Sequence, residues 1–369
     1  MRVFITDISG NKAIVVARAL SGAPGLEILG GDHRGFTQRL HTRFVRRPLL
    51  YPNPASSPDR FVAEISRLIV DERIDHVIPV NTTELRPLVQ HRDRLHGTLD
   101  YMGDERTFRR LDNKEELSQL TRELGLPVPR HYRLEDAIDQ FPLVWKPAES
   151  SSATGVRYIH NSQELEALRA QHPDGPYVLQ EYVSGFGAGY SVLARDGTIL
   201  AGCGHRRRAE WPVSGGSSMI RSYFEHPEME RIAARVMEHT GWSGVAMFEF
   251  KITADNHARL IEINPRMWGS LYQSIASGVN FPLLLLRPDL ARSVVLRKDT
   301  ITYYSPHHLR SLLYYILKQG DFGPLAYFLA NVFKAKADVS PIRDPAGYCG
   351  LLYRFARVSP SFPRPGSHP

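Results

Sequence analysis

The side chains of Glu249, Glu262 and Asn264 have the types and the spacing of a metal site. Glu262 and Asn264 are two residues apart in a run that predicts a strand, so they share one face, roughly 6.5–7 Å apart. The run 244–252 predicts an apolar strand that contains Glu249, and the short turn at 254–257 predicts a hairpin that brings Glu249 beside Glu262. Two carboxylates and an amide oxygen suit Mg²⁺, which keeps water and takes phosphate oxygens as further ligands.

The competing interpretation is an edge strand whose acids face solvent. Asn264 and the Arg266 that soon follows it argue against that interpretation, because the arginine is well placed to meet negative charge near a metal. Lys146 supplies a second cation at the end of an apolar strand, beside a polar loop at 149–155. The backbone N–H groups and hydroxyls of that loop could close over phosphates. The sequence has no GxxxxGK[ST] pattern, so a P-loop site is not indicated.

A third signal is the strand 177–183, which changes into the glycine-rich run 185–189. Backbone groups at such a hinge can read the edge of an adenine. The alternative, a strand that simply ends at glycines, stays open for this segment taken alone.

The N-terminal part of the chain predicts a parallel sheet covered by helices. Strands are expected at 3–5, 26–29 and 76–80, and helices at 13–20 and 61–70. The first turn has one glycine where a dinucleotide-binding fingerprint would have three, so a nicotinamide cofactor is not supported. A later helix is expected to begin with Asp112 as its N-cap, to include Lys114 and to end at Gly125.

The composition is that of a globular protein of 369 residues with a formal charge of +7 and a sequence pI of about 9.4. The charge favours anionic partners in general. Two distant cysteines, Cys203 and Cys349, make a disulfide framework or a structural zinc site unlikely and fit a reducing cytoplasm. No apolar segment approaches the roughly 20 residues that span a bilayer. We therefore expect a soluble, cytoplasmic protein without a transmembrane segment.

Taken together, these segments resemble the ATP-grasp superfamily, and more narrowly its predicted ATP-dependent carboligases, which are related to the carbamoyl-phosphate synthase large chain. The likeness covers about residues 1–290, and its most specific part is Glu-Ile-Asn-Pro-Arg at 262–266. It implies a mixed α/β and α+β fold, in which an N-terminal parallel-sheet α/β domain precedes two α+β subdomains that clasp ATP. The expected divisions are an N-terminal domain, the ATP-grasp domain, a helical basic extension and a disordered tail, at 1–110, 111–290, 291–358 and 359–369.

The resemblance also implies roles for individual residues. ATP would be bound by two lysines, the serine-glycine loop and the main chain of the hinge: Lys114, Lys146, Ser151, Ser152, Gly155, Glu181 and Val183. Glu249, Glu262 and Asn264 would hold Mg²⁺, for which Mn²⁺ could substitute. Arg266, with Lys146, would stabilise the transferring phosphoryl group. The acid that often binds the ribose after the hinge is missing from 185–189.

The substrate side is less determined. Arg206 and Arg208 would share a strand face and, with Arg221, could grip an acidic substrate by forked hydrogen bonds. A solvated face is the competing interpretation of this arginine run. Trp268 and Ser270 could line the substrate pocket, although a core role for Trp268 competes.

The implied activity is ligation of a small-molecule carboxylate to an amine through an acyl phosphate, with release of ADP and phosphate. One alternative is a phosphotransferase that uses the same metal site. Another is a non-catalytic module that binds nucleic acid or an anionic membrane surface through the basic, aromatic C-terminal helices. That module leaves the acidic strands unexplained, so no nucleic-acid partner is expected. These helices more often pack into a core or a homodimer interface.

Overall fold

The N-terminal unit is a parallel sheet, as the alternation of apolar strands and helices predicts. The computed structural model describes residues 1–99, 102–148, 155–171, 176–212 and 215–358, and the elements below are those found within these ranges. The sheet has the order β3-β2-β1-β4, with strands β1 (Arg2–Ile5), β2 (Glu27–Asp32), β3 (Pro48–Leu50) and β4 (His76–Ile78). Its helices are α1 (Asn11–Leu20), α2 (Pro58–Asp71) and α3 (Thr82–Gln90).

Two helices lead out of this unit, α4 (Glu105–Asp112) and α5 (Lys114–Glu123). Asp112 is the last residue of α4, and the N-cap of α5 is Asn113, whose side chain accepts hydrogen bonds from the Glu115 and Glu116 N–H groups at 3.0 and 3.2 Å. The expected cap at Asp112 is therefore wrong by one residue. Both side chains can cap a helix, and the sequence does not tell which of two adjacent caps is used.

A small antiparallel sheet follows, with the order β5-β8-β6-β7. It contains β5 (His131–Tyr132), β6 (Leu143–Pro147), β7 (Arg157–Ile159) and β8 (Tyr177–Glu181), and it is covered by α6 (Ser162–Ala170). Apolar side chains of β6, β8 and α6 form a core of their own. This sheet carries Lys146 and the hinge at Glu181.

The largest sheet has the order β13-β12-β9-β10-β11-β14-β15. Its strands are β9 (Phe186–Arg195), β10 (Thr198–Trp211), β11 (Ser217–Tyr223), β12 (Gly244–Ile252), β13 (Ala258–Asn264), β14 (Ile301–Tyr303) and β15 (Lys336–Ala337). It packs with α7 (Pro227–Thr240), α8 (Leu271–Ala276) and α9 (Phe281–Leu286). Core residues of this sheet are continuous with those of the N-terminal unit, so the two parts share apolar packing.

The C-terminal segment is not purely helical, because β14 and β15 extend the large sheet. Its helices are α10 (His307–Tyr314), α11 (Gly323–Ala330) and α12 (Pro345–Val358). In α11 only Pro324 is buried, and Phe333 just after it is fully exposed. These helices therefore do not bury all of their apolar side chains within the described chain. The tail expected at 359–369 lies outside the described residues. Within the described residues, we find no helix long and apolar enough to cross a membrane.

Candidate active site

The acidic hairpin forms as the sequence predicts. Strands β12 and β13 pair antiparallel, and Glu249 lies directly opposite Glu262. The Asn264 amide nitrogen donates to Glu249 Oε1 at 3.1 Å and to Glu262 Oε1 at 3.2 Å. The three oxygen-bearing side chains therefore converge on one face of the large sheet.

This carboxylate pair is surrounded by cations. Burial, together with the Glu249 charge, raises the pKa of the Glu262 carboxyl. Lys114 Nζ lies 3.7 Å from Glu262 Oε2, and Arg207 Nη2 lies 2.6 Å from Glu249 Oε2. Burial lowers the pKa of Lys146 to about 8, although the Glu262 charge opposes that change. Opposite charges thus balance one another before any ligand binds.

A cavity of about 390 Å³ opens beside this cluster, within the range of small-molecule sites. The small sheet, the large sheet, the N-terminal unit and α12 all contribute to its walls. Of the residues predicted to bind ATP, metal and substrate, those that line it are Lys114, Lys146, Glu181, Val183, Glu249, Glu262, Asn264, Arg266, Trp268 and Ser270. Ser151 and Ser152 lie outside the described residues. Gly155 is described, with φ of 76°, and packs near Pro147.

The hinge lies at one end of the cavity. The Glu181 N–H donates to the Arg130 carbonyl at 2.9 Å, and Glu181 Oε1 accepts from the Arg130 N–H at 3.0 Å. The Tyr182 N–H donates to the Pro142 carbonyl at 3.1 Å. Within the described part of the chain the Val183 N–H has no hydrogen-bond partner, so it is the hinge donor available to a base edge.

Arg266 joins the large sheet to the N-terminal unit. Its Nε donates to Thr82 Oγ1 at 2.8 Å and its Nη1 to the Met267 carbonyl at 3.1 Å. Trp268 is fully buried and packs edge-on against Phe281 with ring centroids 5.1 Å apart, yet it also lines the cavity. Both interpretations of Trp268, core aromatic and pocket wall, therefore hold.

The expected substrate role of Arg206 and Arg208 is not supported by their positions. The Arg206 guanidinium lies 3.8 Å from the ring centroid of Phe186, and Arg208 donates from Nε to Ser222 Oγ at 3.0 Å. They do share a face, but the residue between them points into the cavity. That residue, Arg207, is buried among Glu249 and Glu210, whose charges raise its pKa.

The position of Arg221 also does not support the expected contact with substrate. Its guanidinium is fully buried in an ion pair with Asp338 at 2.9 Å, and its Nη1 donates to the Gly269 carbonyl at 3.4 Å. It does not line the cavity. Its contacts hold the loop that carries Ser270.

Several residues of the cavity wall were missed. Lys251 lies two residues beyond Glu249 on β12 and donates from Nζ to the Gly185 carbonyl at 3.2 Å. The strand period could have revealed it. Asp7, Lys12 and Arg354 also line the cavity, but they come from distant parts of the chain and carried no signal in the sequence.

Comparisons with known proteins bear on the family and the fold of this chain. Residues 175–305 match a family described as ATP-grasp in the biosynthetic pathway with Ter operon. The likeness to the ATP-grasp superfamily that the sequence predicts is confirmed. The chain is 25% identical, over 220 residues, to a D-alanine–D-alanine ligase of Fusobacterium nucleatum, and the match covers 53% of the chain and 75% of that ligase. The predicted class of enzyme, an ATP-grasp ligase that forms carbon–nitrogen bonds, is confirmed by this likeness.

Two solved structures show the same fold. The L-amino acid ligase from Bacillus licheniformis has a TM-score of 0.57 at 18% identity, over 80% of this chain and 75% of that one. The biotin carboxylase domain of the Hydrogenobacter thermophilus 2-oxoglutarate carboxylase, solved with MgADP and bicarbonate, has a TM-score of 0.59 at 15% identity. That match covers 81% of this chain and 71% of that one. The predicted fold class, with its parallel sheet and mixed subdomains, is confirmed.

Proposed function

We propose that this ATP-grasp ligase joins a small-molecule carboxylate to an amine through an acyl phosphate, with ATP and Mg²⁺. The observation that carries the proposal is the cluster of Glu249, Glu262 and Asn264 facing Lys114 and Lys146 across one cavity. Relatives named as D-alanine–D-alanine ligase and L-amino acid ligase support ligation over simple phosphorylation.

The residues fit a magnesium ion. Two half-buried carboxylates face each other, and their mutual repulsion, together with desolvation, raises the pKa of Glu262. No group of three or more His, Cys, Asp or Glu side chains suited to a metal occurs among the described residues. Two carboxylates, with the Asn264 amide turned so that its oxygen instead of its nitrogen faces them, would leave coordination positions for water and phosphate, which Mg²⁺ favours. When bound, the ion would neutralise charge on the phosphate oxygens.

A free carboxylate acylates an amine poorly because its leaving group would be oxide. Transfer of the γ-phosphoryl group converts it into a mixed anhydride, and the amine then displaces phosphate. The work of the protein in this transfer is positioning and charge stabilisation. Lys114 and Lys146 would hold phosphate oxygens, Arg266 would meet the transferring group, and the Val183 N–H would receive the adenine edge.

The test is product analysis on purified protein with a panel of carboxylates. ADP release with hydroxylamine, yielding a hydroxamate, is the expected sign of an acyl phosphate. Glu262→Gln should abolish ATP turnover without unfolding the chain, because it removes a charged metal ligand. The matched control is Glu238→Gln, an exposed position on α7 that should turn over ATP normally.

A stable phosphorylated product without amide or hydroxamate would instead support the phosphotransferase. Near-normal turnover by a folded Glu262→Gln variant would remove Glu262 from the metal role. Substitution of Mn²⁺ for Mg²⁺, the domain divisions, the cytoplasmic location and the homodimer stay predictions.

A further inference from the structure

The cavity continues past the acidic hairpin into a polar space between the N-terminal unit and α12. We call this space the inner chamber and define it by Asp7, Asn11, Lys12, Asn81 and Arg354, all of which line the cavity. None of them belongs to the groups assigned above to ATP or metal. The chamber is therefore a part of the cavity that the proposed nucleotide and metal leave unassigned.

Helix α12 closes the chamber because it is anchored to the N-terminal unit. Asp344, just before α12, accepts a hydrogen bond from Thr42 Oγ1 at 2.5 Å, and Leu351 packs against Ile14 of α1. Arg354 then reaches Asp7 Oδ1 with its Nη1 at 2.6 Å. A side chain at position 10 would place its Cβ 2.8 Å from that nitrogen, so Gly10 permits this close approach.

Asp7 is not available to bind an amine. Its Oδ1 accepts from Arg34 at 3.0 Å as well as from Arg354, and its Oδ2 accepts from Asn81 at 2.8 Å. Burial acts to raise the Asp7 pKa, but the two guanidinium charges outweigh it, and the pKa is lowered. The carboxylate is thus charged and fully satisfied, and it serves to orient Arg354.

Lys12 is the opposite case. It projects from the first turn of α1, and its ammonium makes no hydrogen bond or ion pair with any described residue. Burial lowers its pKa to about 7, and the Arg266 charge acts in the same direction. Asp7 and Glu84 oppose this change, but Asp7 is already paired and Glu84 is buried outside the cavity wall. An anion in the chamber would supply the partner that Lys12 lacks.

The position of the chamber indicates which substrate it receives. Arg266 lines the same cavity, and its charge acts both on Glu262 of the acidic hairpin and on the Lys12 ammonium. The acid to be activated must lie at the hairpin, next to the γ-phosphate. With the nucleotide on the hinge side, as proposed above, the amine would approach the acyl carbon from the side of the inner chamber.

We propose that the inner chamber binds an anionic group, a carboxylate or a phosphate, of the amine substrate, with Lys12 as its main contact and Arg354 as its second. This inference rests on the proposed ligase function and names the class of its acceptor. The amine substrate is then an amino acid or an amino phosphate rather than a neutral amine.

The experiment compares amines offered in anionic and neutral forms: amino acids with their amides, and O-phosphoethanolamine with ethanolamine. Hydroxylamine serves as the third acceptor, since it traps the acyl phosphate without filling the chamber. The wild-type chain should join an anionic form with a KM at least about tenfold lower than that of its neutral form, the factor expected for one charged hydrogen bond. Whether carboxylate or phosphate is favoured follows from which pair shows the difference.

Lys12→Met should raise the KM for the anionic amine at least about tenfold while kcat, the KM for ATP and hydroxamate formation change less than about threefold. Lys12→Arg keeps the charge and should restore the low KM, which a purely structural role would not explain. Lys318→Met, at an exposed position of the C-terminal segment, is the matched control.

The outcomes separate the two proposals. A chain that forms hydroxamates but prefers neutral amines, or joins none of the anionic ones, overturns the inference and leaves the ligase intact. An unchanged KM in folded Lys12→Met also overturns it. Failure to form any hydroxamate refutes both.

Discussion

Replacement of Lys146 by methionine should separate stability from nucleotide binding. Lys146 is the penultimate residue of β6 and is buried, with its Nζ 3.4 Å from the Ile261 carbonyl. Burial lowers its pKa to about 8, which means that the folded chain carries this charge at a cost. Methionine has a similar length and no charge. We therefore expect Lys146→Met to leave the free energy of unfolding unchanged within about 1 kcal/mol, or to raise it.

The effect on ATP should have the opposite sign. A hydrogen bond between a charged donor and its acceptor contributes about 1.5–3 kcal/mol, so the loss of one such bond to a phosphate should raise the Kd roughly 10- to 150-fold. Lys114, the second lysine at Glu262, remains in place, and binding should be weakened rather than lost.

Isothermal titration calorimetry with MgATP measures the affinity, and urea denaturation measures the stability. Lys318→Met controls for the loss of one positive charge from the chain as a whole. A folded Lys146→Met variant that binds MgATP within about twofold of wild type would contradict the phosphate role of Lys146.

Two further predictions concern stability. Burial, with the charges of Arg207 and Arg221, holds the pKa of His205 well below its usual value. The neutral imidazole therefore contributes its full stabilisation above the unfolded pKa of about 6.5. As the pH drops below that value, the free energy of unfolding decreases by about 1.4 kcal/mol per pH unit. His205→Leu should flatten the pH dependence of urea denaturation between pH 6.5 and about 5 by that amount, and an unchanged slope would show that His205 does not titrate on unfolding. Asp338→Asn should lower the free energy of unfolding by about 3–5 kcal/mol, because it leaves the buried Arg221 charge uncompensated. The double variant Arg221→Met, Asp338→Leu should recover most of the lost free energy of unfolding, as measured by urea denaturation. A loss below about 1 kcal/mol in Asp338→Asn would contradict the argument.

The acidic hairpin could be predicted from the sequence because its geometry is local. The two strands are joined by a short turn, and side-chain alternation leaves few ways to pair them. A regular hairpin counted from the turn would put Glu249 opposite Ile261. An irregularity between Glu249 and Phe250 shifts the register by one residue, so that Glu249 lies opposite Glu262. That last shift is not visible in the sequence. The alternation of short apolar strands with helices in the sequence also predicts the parallel sheet of the N-terminal unit.

The choice of face for the arginine run could not be made in this way. Alternation says that Arg206 and Arg208 point together and Arg207 points away, but it does not say which side meets the cavity. That depends on how β10 pairs with β9 and β11, and on which face of the large sheet the small sheet covers. The residues next to an arginine in such a run do not indicate which acidic side chain it will pair with.

The inner chamber lies further from what a sequence can show. Asp7 and Arg354 are separated by 347 positions, and their contact depends on α12 docking on α1. The segment after residue 291 was expected to be a helical extension, and nothing in its composition distinguishes an arginine at a site from one in solvent. The docking itself rests on a few anchors, such as the hydrogen bond from Thr42 to Asp344.

The charge pairs of the site also bear on how a nucleotide would enter it. Lys114 lies 3.7 Å from Glu262, and Arg207 lies 2.6 Å from Glu249, so each carboxylate already has a cation beside it. Binding of a phosphate tail alone would draw a lysine away from Glu262 and leave that buried acid without compensation, which is costly. When the phosphate binds together with a divalent cation, the lysine exchanges its carboxylate partner for a phosphate, and the carboxylate exchanges the lysine for the metal ion. We therefore expect the site to bind the metal–nucleotide complex more tightly than either component alone.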